Sequence, residues 1–184
     1  MSIHLARHGQ TAYNHEGRFQ GHLPVPLDAT GREQAAALAE AAAQVELVSL
    51  WCSPLARARE TAAMVSARIG LEPHEDARFA ETDSGDWTDR SFAEVIAEDP
   101  EGFARYERSD PTFRYPGGES FSEQSDRIQA ALRDLRAQPA MLPTLVVCHR
   151  GVIRLAFAAL GDASEGAREV ANAVLVTLPD GHQR

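Results

Sequence analysis

Leu5-Ala6-Arg7-His8-Gly9-Gln10-Thr11 is the stretch whose reading decides the fold. An apolar run through Ile3 and Leu5 stops abruptly at a basic residue, a histidine and a glycine, the pattern of a β-strand that delivers a reactive group to its carboxyl end. A guanidinium is always charged and must meet water or an anion, so Arg7 beside His8 points to an anion site. Gly9 permits a tight turn straight after the histidine, and its missing Cβ lets a ligand approach the main chain. The plain alternative is a strand end with a solvated arginine and a hydrogen-bonded histidine, and the downstream sequence separates the two.

Working outward, Tyr13 to Asp28 is rich in Gly and Pro without a clear period and reads as a long loop. Thr30-Gly31 introduces an Ala-rich helix to Gln44, with Glu33 in its first turn. Val45 to Cys52 is β-branched and apolar, a second strand, and Ser53-Pro54 follows at once as N-cap and first helical residue of a helix to about Ile69, stopped by Gly70. Strand, helix, strand, helix at this spacing predicts an α/β fold with a mostly parallel central sheet and crossover helices. Ligands of such sheets gather at the carboxyl ends of the strands, so Arg57, one turn into the second helix, is expected at the same edge as His8; the alternative is a solvated helix face shared with Arg59.

From Phe79 to Tyr115 the texture changes to short helical pieces, around Ser91 to Glu98 and Glu101 to Arg108, with six aromatics from Trp87 to Tyr115. This excursion, spanning about residues 82–116, reads as a lid over the site or as a satellite hydrophobic cluster. Pro116 to Ser120 turns into a helix ending near Ala137. Thr144 to Cys148 is a buried strand that stops at His149-Arg150-Gly151, where a helix begins, and Ala171 to Leu178 is a last strand before a loose tail.

At 184 residues the chain fits one domain with a sizeable core. No apolar run approaches the roughly 20 residues of a membrane span, and no secretory pattern opens the chain, so a cytoplasmic protein is expected. A formal net charge of −9 argues against nucleic acid and anionic membrane as partners. All eighteen Lys and Arg residues are arginine, which rules out a Schiff-base or P-loop lysine. Cys52 and Cys148 read as buried small hydrophobes rather than a bridge. His4 and His8, four apart on a strand, lie roughly 13 Å apart, too far for one ion. His15, His22, His74 and His182 read as surface or loop residues, and no metal-ligand spacing falls at a pocket position. Oligomerisation is left open.

Two strands thus end alike, in an apolar run, a histidine, then a glycine within two residues. Parallel pairing brings His8 and His149 into one crevice with Arg7 and Arg57 beside them and the amino end of the following helix pointing in, a pocket matched to the oxygens of a phosphate.

These features, with Asn14, the Gln20-Gly21 … Pro26-Leu27 … Gly31 run, Ser53-Pro54-Leu55-Ala56-Arg57-Ala58-Arg59-Glu60-Thr61, Glu81 followed by Gly85-Asp86-Trp87, and Gly117-Gly118-Glu119-Ser120, resemble the histidine phosphatase superfamily, also called the phosphoglycerate mutase-like family. The matches run in the family's order over nearly the whole chain, nearest to alpha-ribazole phosphatase-like and broad-specificity members. The resemblance implies a three-layer α/β sandwich and a phosphohistidine mechanism with neither metal nor other cofactor. It carries to His8 the role of nucleophile, to Arg7, Arg57 and His149 the phosphate pocket, to Glu81 the proton donor, and to Asn14, Gln20 and Gly21 accessory contacts. Three places depart from the pattern. Arg150 stands where a small residue is usual and adds a cation to the binding set, Cys148 replaces the more usual serine before the second histidine, and Trp87-Thr88-Asp89 replaces the frequent Trp-Glu-Gly.

The chemistry reads independently. His8 must be neutral to attack phosphorus, and surrounding cations depress its pKa toward that state. Glu81 suits protonation of the leaving alkoxide and later deprotonation of water; read without the family pattern it is a surface carboxylate of an acidic protein. The expected activity is hydrolysis of a small phosphate monoester. The alternatives are a phosphoglycerate mutase-type isomerase, disfavoured by the short excursion, and a non-catalytic phospholigand-binding protein.

Overall fold

The computed structural model describes residues 2–160 and 170–179. The opening apolar run forms β1 (Ile3–Arg7), and a short helix α1 (Ala12–Glu16) follows. The loop expected over Tyr13 to Asp28 is therefore partly helical. Thr11 and Asn14 form a capping box, each side chain bonded to the other's backbone amide, which satisfies the free N–H groups of the first turn. Next come α2 (Ala29–Ala42), capped by Asp28 on the Gly31 amide, then β2 (Ser49–Cys52), α3 (Ala56–Ile69), and β3 (Pro73–Glu75). The excursion carries α4 (Phe92–Glu98) and α5 (Pro100–Glu107). The chain returns through α6 (Phe121–Arg136), β4 (Thr144–Cys148), α7 (Arg150–Ala158) and β5 (Leu175–Leu178).

The strand order is β3-β2-β4-β1-β5, parallel except for β5, which runs antiparallel to β1. Alternate residues of the central strands face opposite layers. Ile3, Leu5, Val146 and Cys148 pack toward α6 and α7, whereas Ala6, Leu50, Cys52, Leu145 and Val147 pack toward the Ala-rich faces of α2 and α3. The result is the three-layer α/β arrangement. Cys52 and Cys148 sit on opposite faces, both buried and free.

Several boundaries differ from expectation for tertiary reasons. The second strand starts at Ser49, not Val45, because its neighbour β4 begins only at Thr144, opposite Ser49, and earlier residues have no ladder to join. The last strand starts at Leu175, not Ala171, since Leu175 pairs with Ala6 near the end of β1. β3, a three-residue edge strand opening on a proline, carries no apolar run that would announce it. Ser53 is not an N-cap: α3 begins at Ala56 after Leu55, and the Ser53 hydroxyl serves the site instead. The tail from residue 180, with His182, lies outside the described residues.

The aromatics of the excursion form one network of tilted and edge-to-face rings with Phe19, its ring centroid 4.7 Å from that of Phe92 and 5.1 Å from that of Trp87. The network is continuous with the core on the α6–α7 face. Phe92, Tyr106 and Tyr115 also wall the cleft described below. Asp89, at φ +67°, takes the hydroxyl of Tyr13 at 2.6 Å and ties the excursion to α1.

Candidate active site

The in-register pairing of Arg7 with Cys148 places the next residues, His8 and His149, side by side at the carboxyl ends of β1 and β4, with the His8 amide on the Cys148 carbonyl at 3.0 Å. Their ring centroids are 5.1 Å apart and their planes are tilted by 58°. His8 Nδ1 lies 2.7 Å from the Gly9 carbonyl, which can only accept, so Nδ1 carries the proton of the neutral ring and Nε2 the lone pair. Arg57, 1% exposed, donates its Nε–H to that nitrogen at 3.2 Å. Its other donors are held by the carbonyls of Gly21 at 2.9 Å and Leu23 at 3.3 Å. The helix-face alternative for Arg57 is thereby excluded.

The electrostatics follow from burial of like charges. Burial first, then Arg57 and Arg7, hold His8 well below the ordinary histidine value of 6.5, outweighing the Gly9 hydrogen bond. His149 is lowered likewise, by burial and then by Arg57, His8, Arg7 and Arg127. Burial also pushes Arg7 and Arg57 down to about 10, with Glu81 acting in the opposite direction on both. Arg7 donates to the Val170 carbonyl at 3.1 Å, and its buried Nε has no partner among the described residues. His149 Nε2 meets the Ser53 hydroxyl at 2.7 Å, and its buried Nδ1 likewise has none among them. Unpaired buried donors are expensive, and an oxyanion between the imidazoles would satisfy them.

Glu81 comes from the segment after the first three strands. Its Oε1 accepts the Thr82 amide at 3.0 Å and Gln124 Nε2 at 3.3 Å, and its Oε2 accepts the Gly151 amide in the first turn of α7 at 3.3 Å. A Cβ on Gly151 would stand 2.4 Å from Oε1, so glycine is what admits the carboxylate. Arg127 of α6, paired with Glu119, clamps the preceding chain by donating to the carbonyls of Arg78, Ala80 and Glu81.

An open cleft is lined by Arg7, His8, Asn14, Gln20, Gly21, Arg57, Glu81 and Arg150, among others. His149 is the one candidate that contributes no surface to it, being 0% exposed beside His8. Gln20 accepts the Thr11 hydroxyl at 2.9 Å, and Gly21 acts through its carbonyl on Arg57. Asn14 Oδ1 lies 3.4 Å from Asn172 Nδ2, which also donates to the His8 carbonyl at 2.9 Å. Gly9 plays a different part from the one expected. A Cβ there would meet the Gly31 carbonyl at 2.2 Å, so its bareness lets α2 cross the loop rather than admitting a ligand.

Sequence reasoning missed Ser53 as a partner of His149, and it missed Gln124, Arg127, Thr61 and Asn172. Ser53 and Thr61, the latter accepting the Gly9 amide at 3.1 Å, both lay inside the quoted Ser53-to-Thr61 motif, whereas the other three lay in none. His22, exposed as expected, nevertheless bonds the Glu81 carbonyl at 2.7 Å. Among the described residues no cluster of three His, Cys, Asp or Glu side chains is placed to hold a metal ion, and no helix is long and apolar enough to cross a membrane.

The fold and site define an α/β protein whose sheet edge presents paired imidazoles and the guanidinium groups of Arg7 and Arg57 at an open cleft. The family model of the histidine phosphatase superfamily, branch 1, matches residues 3–179, and the chain belongs to that family. It is similar to the probable phosphoglycerate mutase GpmB of Salmonella choleraesuis, 34% identical over 150 residues, covering 81% of this chain and 69% of that one. Among solved structures it is similar to the mycobacterial glucosyl-3-phosphoglycerate phosphatase complexed with VO3, with TM-score 0.84 and 32% identity over 96% of this chain and 91% of that one. The alpha-ribazole phosphatase of Shigella flexneri aligns with TM-score 0.82 and 30% identity over 96% and 89%.

Proposed function

We propose that this protein hydrolyses a small-molecule phosphate monoester through a phosphohistidine on His8. The observation that carries the reading is the fixed state of that ring: Nδ1–H is spent on the Gly9 carbonyl, so the Nε2 lone pair is available where Arg57 converges. A phosphate entering the crevice takes over the Arg57 donor and meets Arg7 and His149 as well. Nε2 then attacks phosphorus in line, the P–O ester bond breaks, and charge on the equatorial oxygens falls on the guanidinium groups. Glu81 gives its proton to the leaving alkoxide. It next takes a proton from the water that attacks phospho-His8, the N–P bond breaks, and inorganic phosphate departs. Phosphatase-named structural relatives support hydrolysis. A net charge of −9 supports a small substrate rather than nucleic acid or an anionic membrane.

A second reading, return of the phosphoryl group to another hydroxyl of the bound substrate, draws on the mutase-named relative. One assay separates the two. A panel of phosphate monoesters is incubated with chelator present, with and without a bisphosphorylated primer, using wild type and His8→Ala. Phosphate release that vanishes in His8→Ala, with an acid-labile phosphoryl group on His8 in rapidly quenched wild type, is the expected result. Primer-dependent isomerised product with little free phosphate would replace hydrolysis by the mutase reading. Binding without turnover would leave a phospholigand-binding protein.

A further inference from the structure

Glu81 is the one carboxylate that lines the cleft among the described residues, and its two oxygens are held unequally. Oε1 accepts the Thr82 amide at 3.0 Å and the Gln124 side-chain amide at 3.3 Å, whereas Oε2 accepts the Gly151 amide at 3.3 Å. His22 and Arg127 bond the main-chain carbonyl of Glu81, at 2.7 and 3.2 Å, and so fix the backbone rather than the carboxylate. Of the three groups on the carboxylate, two are main-chain amides. Gln124 alone acts through a side chain.

Gln124 lies on the buried face of α6 with Phe121, Ile128 and Ala131, and is 0% exposed. A primary amide in such company is costly unless its polar atoms are paired. The pairing also sets which way the amide points. Turned over, its oxygen would oppose Oε1 of the ionised carboxylate, two acceptors with no proton between them. The nitrogen therefore faces Glu81, and the amide oxygen faces the Thr82 hydroxyl, which donates to it. That hydroxyl has a single proton, so its own approach to Glu81 Oε1 at 3.4 Å adds no further bond.

We propose that Gln124, oriented by Thr82, is a positioning residue that ties down Oε1 of Glu81 and so reserves Oε2 for the proton moved in catalysis. This rests on the hydrolytic reading above and deepens it. An oxygen that already accepts two N–H bonds takes a proton only by breaking one of them, whereas Oε2 gives up a single bond. In the first step the Oε2–H bond breaks, its electron pair stays on Oε2, and the proton goes to the leaving alkoxide as the P–O ester bond breaks. In the second, water loses a proton to Oε2 while its oxygen bonds phosphorus, and the electron pair of the N–P bond returns to Nε2 of His8. Glu81 and Thr82 line the cleft and Gln124 is buried behind them, so its influence passes through the carboxylate.

The test compares the alkyl phosphate that wild type cleaves best with p-nitrophenyl phosphate, whose leaving group departs without a proton. In Gln124→Met, which keeps a side chain of similar length and removes the amide, kcat/KM is expected to fall about tenfold more for the alkyl ester than for p-nitrophenyl phosphate. On p-nitrophenyl phosphate the variant should also release nitrophenol in a burst stoichiometric with enzyme, followed by a steady state slower than wild type, because phosphorylation is spared and deprotonation of water is not. Thr82→Val keeps the main-chain bond to Oε1 and frees the Gln124 amide to turn. It should move the ratio in the same direction, and adding it to Gln124→Met should move the ratio no further. Equal losses on both esters without a burst would make Gln124 a packing residue of α6 and overturn the proposal, as would independent, multiplicative effects of the two substitutions. Should urea unfolding show that Gln124→Met does not fold, Thr82→Val decides alone, and an unmoved ratio overturns the proposal. Phosphate release from neither ester by wild type would sink the hydrolytic reading and this role with it; turnover with an unmoved ratio would sink this role only.

Discussion

The hydroxyl of Ser53 lies 2.7 Å from Nε2 of His149, while the opposite ring nitrogen, Nδ1, is buried without a partner among the described residues. Ser53 follows β2 and His149 follows β4, and the parallel register that sets Cys52 beside Val147 brings them together. Ser53 Oγ accepts the Leu55 amide at 3.2 Å and keeps its own proton, and we assign that proton to a bond with Nε2 of His149. The ring proton of His149 is then held on Nδ1, as the donor an oxyanion requires.

Ser53→Ala removes that control. We expect kcat to fall about 10–100-fold, the scale on which partners that orient a site histidine act, and the imidazole nitrogen resonances of His149 to show a mixture of tautomers by NMR. An unchanged tautomer with wild-type turnover would refute the assignment.

Gly151→Ala drives a methyl group into the position 2.4 Å from Glu81 Oε1. The carboxylate must move and its hydrogen bond from the Gly151 amide is lost. If Glu81 protonates the leaving group, alkyl phosphates, whose alkoxides need that proton, should suffer at least tenfold more than p-nitrophenyl phosphate. Equal losses on both would point to a general disturbance of α7 instead.

Gly31→Ala tests the crossing of α2 over the loop after His8. Its Cβ would stand 2.0 Å from the Gln10 carbonyl, a backbone atom that cannot swing aside. Destabilisation of about 1–3 kcal/mol is expected from urea unfolding, together with reduced turnover because Gly9 and His8 move with Gln10. A variant that melts and turns over like wild type would contradict the crossing.

Stability should depend on pH through both imidazoles. His8 and His149 are held well below 6.5 in the folded protein, so below that value the unfolded chain binds more protons than the native one. Their contribution is present above pH 6.5 and lost as the pH falls, by up to about 1.4 kcal/mol per pH unit for each histidine. Urea titrations from pH 7.5 to 5.0 should give a shallower slope for the His8→Gln, His149→Gln double variant than for wild type. Parallel slopes would show that the imidazoles titrate normally.

Much of the fold was legible from short-range signals. The strands ending at Arg7 and Cys148, the helix stop at Gly70 and the turn into a helix at Ser120 are written in local periodicity and in turn and stop residues. Ser53 misled because Ser-Pro before a helix is the usual cap pattern, while a histidine almost a hundred positions away claims its hydroxyl. Gln124 and Arg127, on an amphipathic helix of ordinary composition, carry no local mark of their hold on Glu81.

By itself the sequence determined the α/β layering, the two histidine-bearing strand ends and membership of the family, because periodicity and motif order need only neighbours along the chain. Only the tertiary structure decided that Arg57 turns onto His8, that Glu81 reaches the amide of Gly151, and that Arg150 and Arg154 line the cleft. Those contacts join segments distant in sequence, and their existence depends on strand register and on how closely helices pack across the sheet, down to the two glycines that let α2 touch the loop after His8.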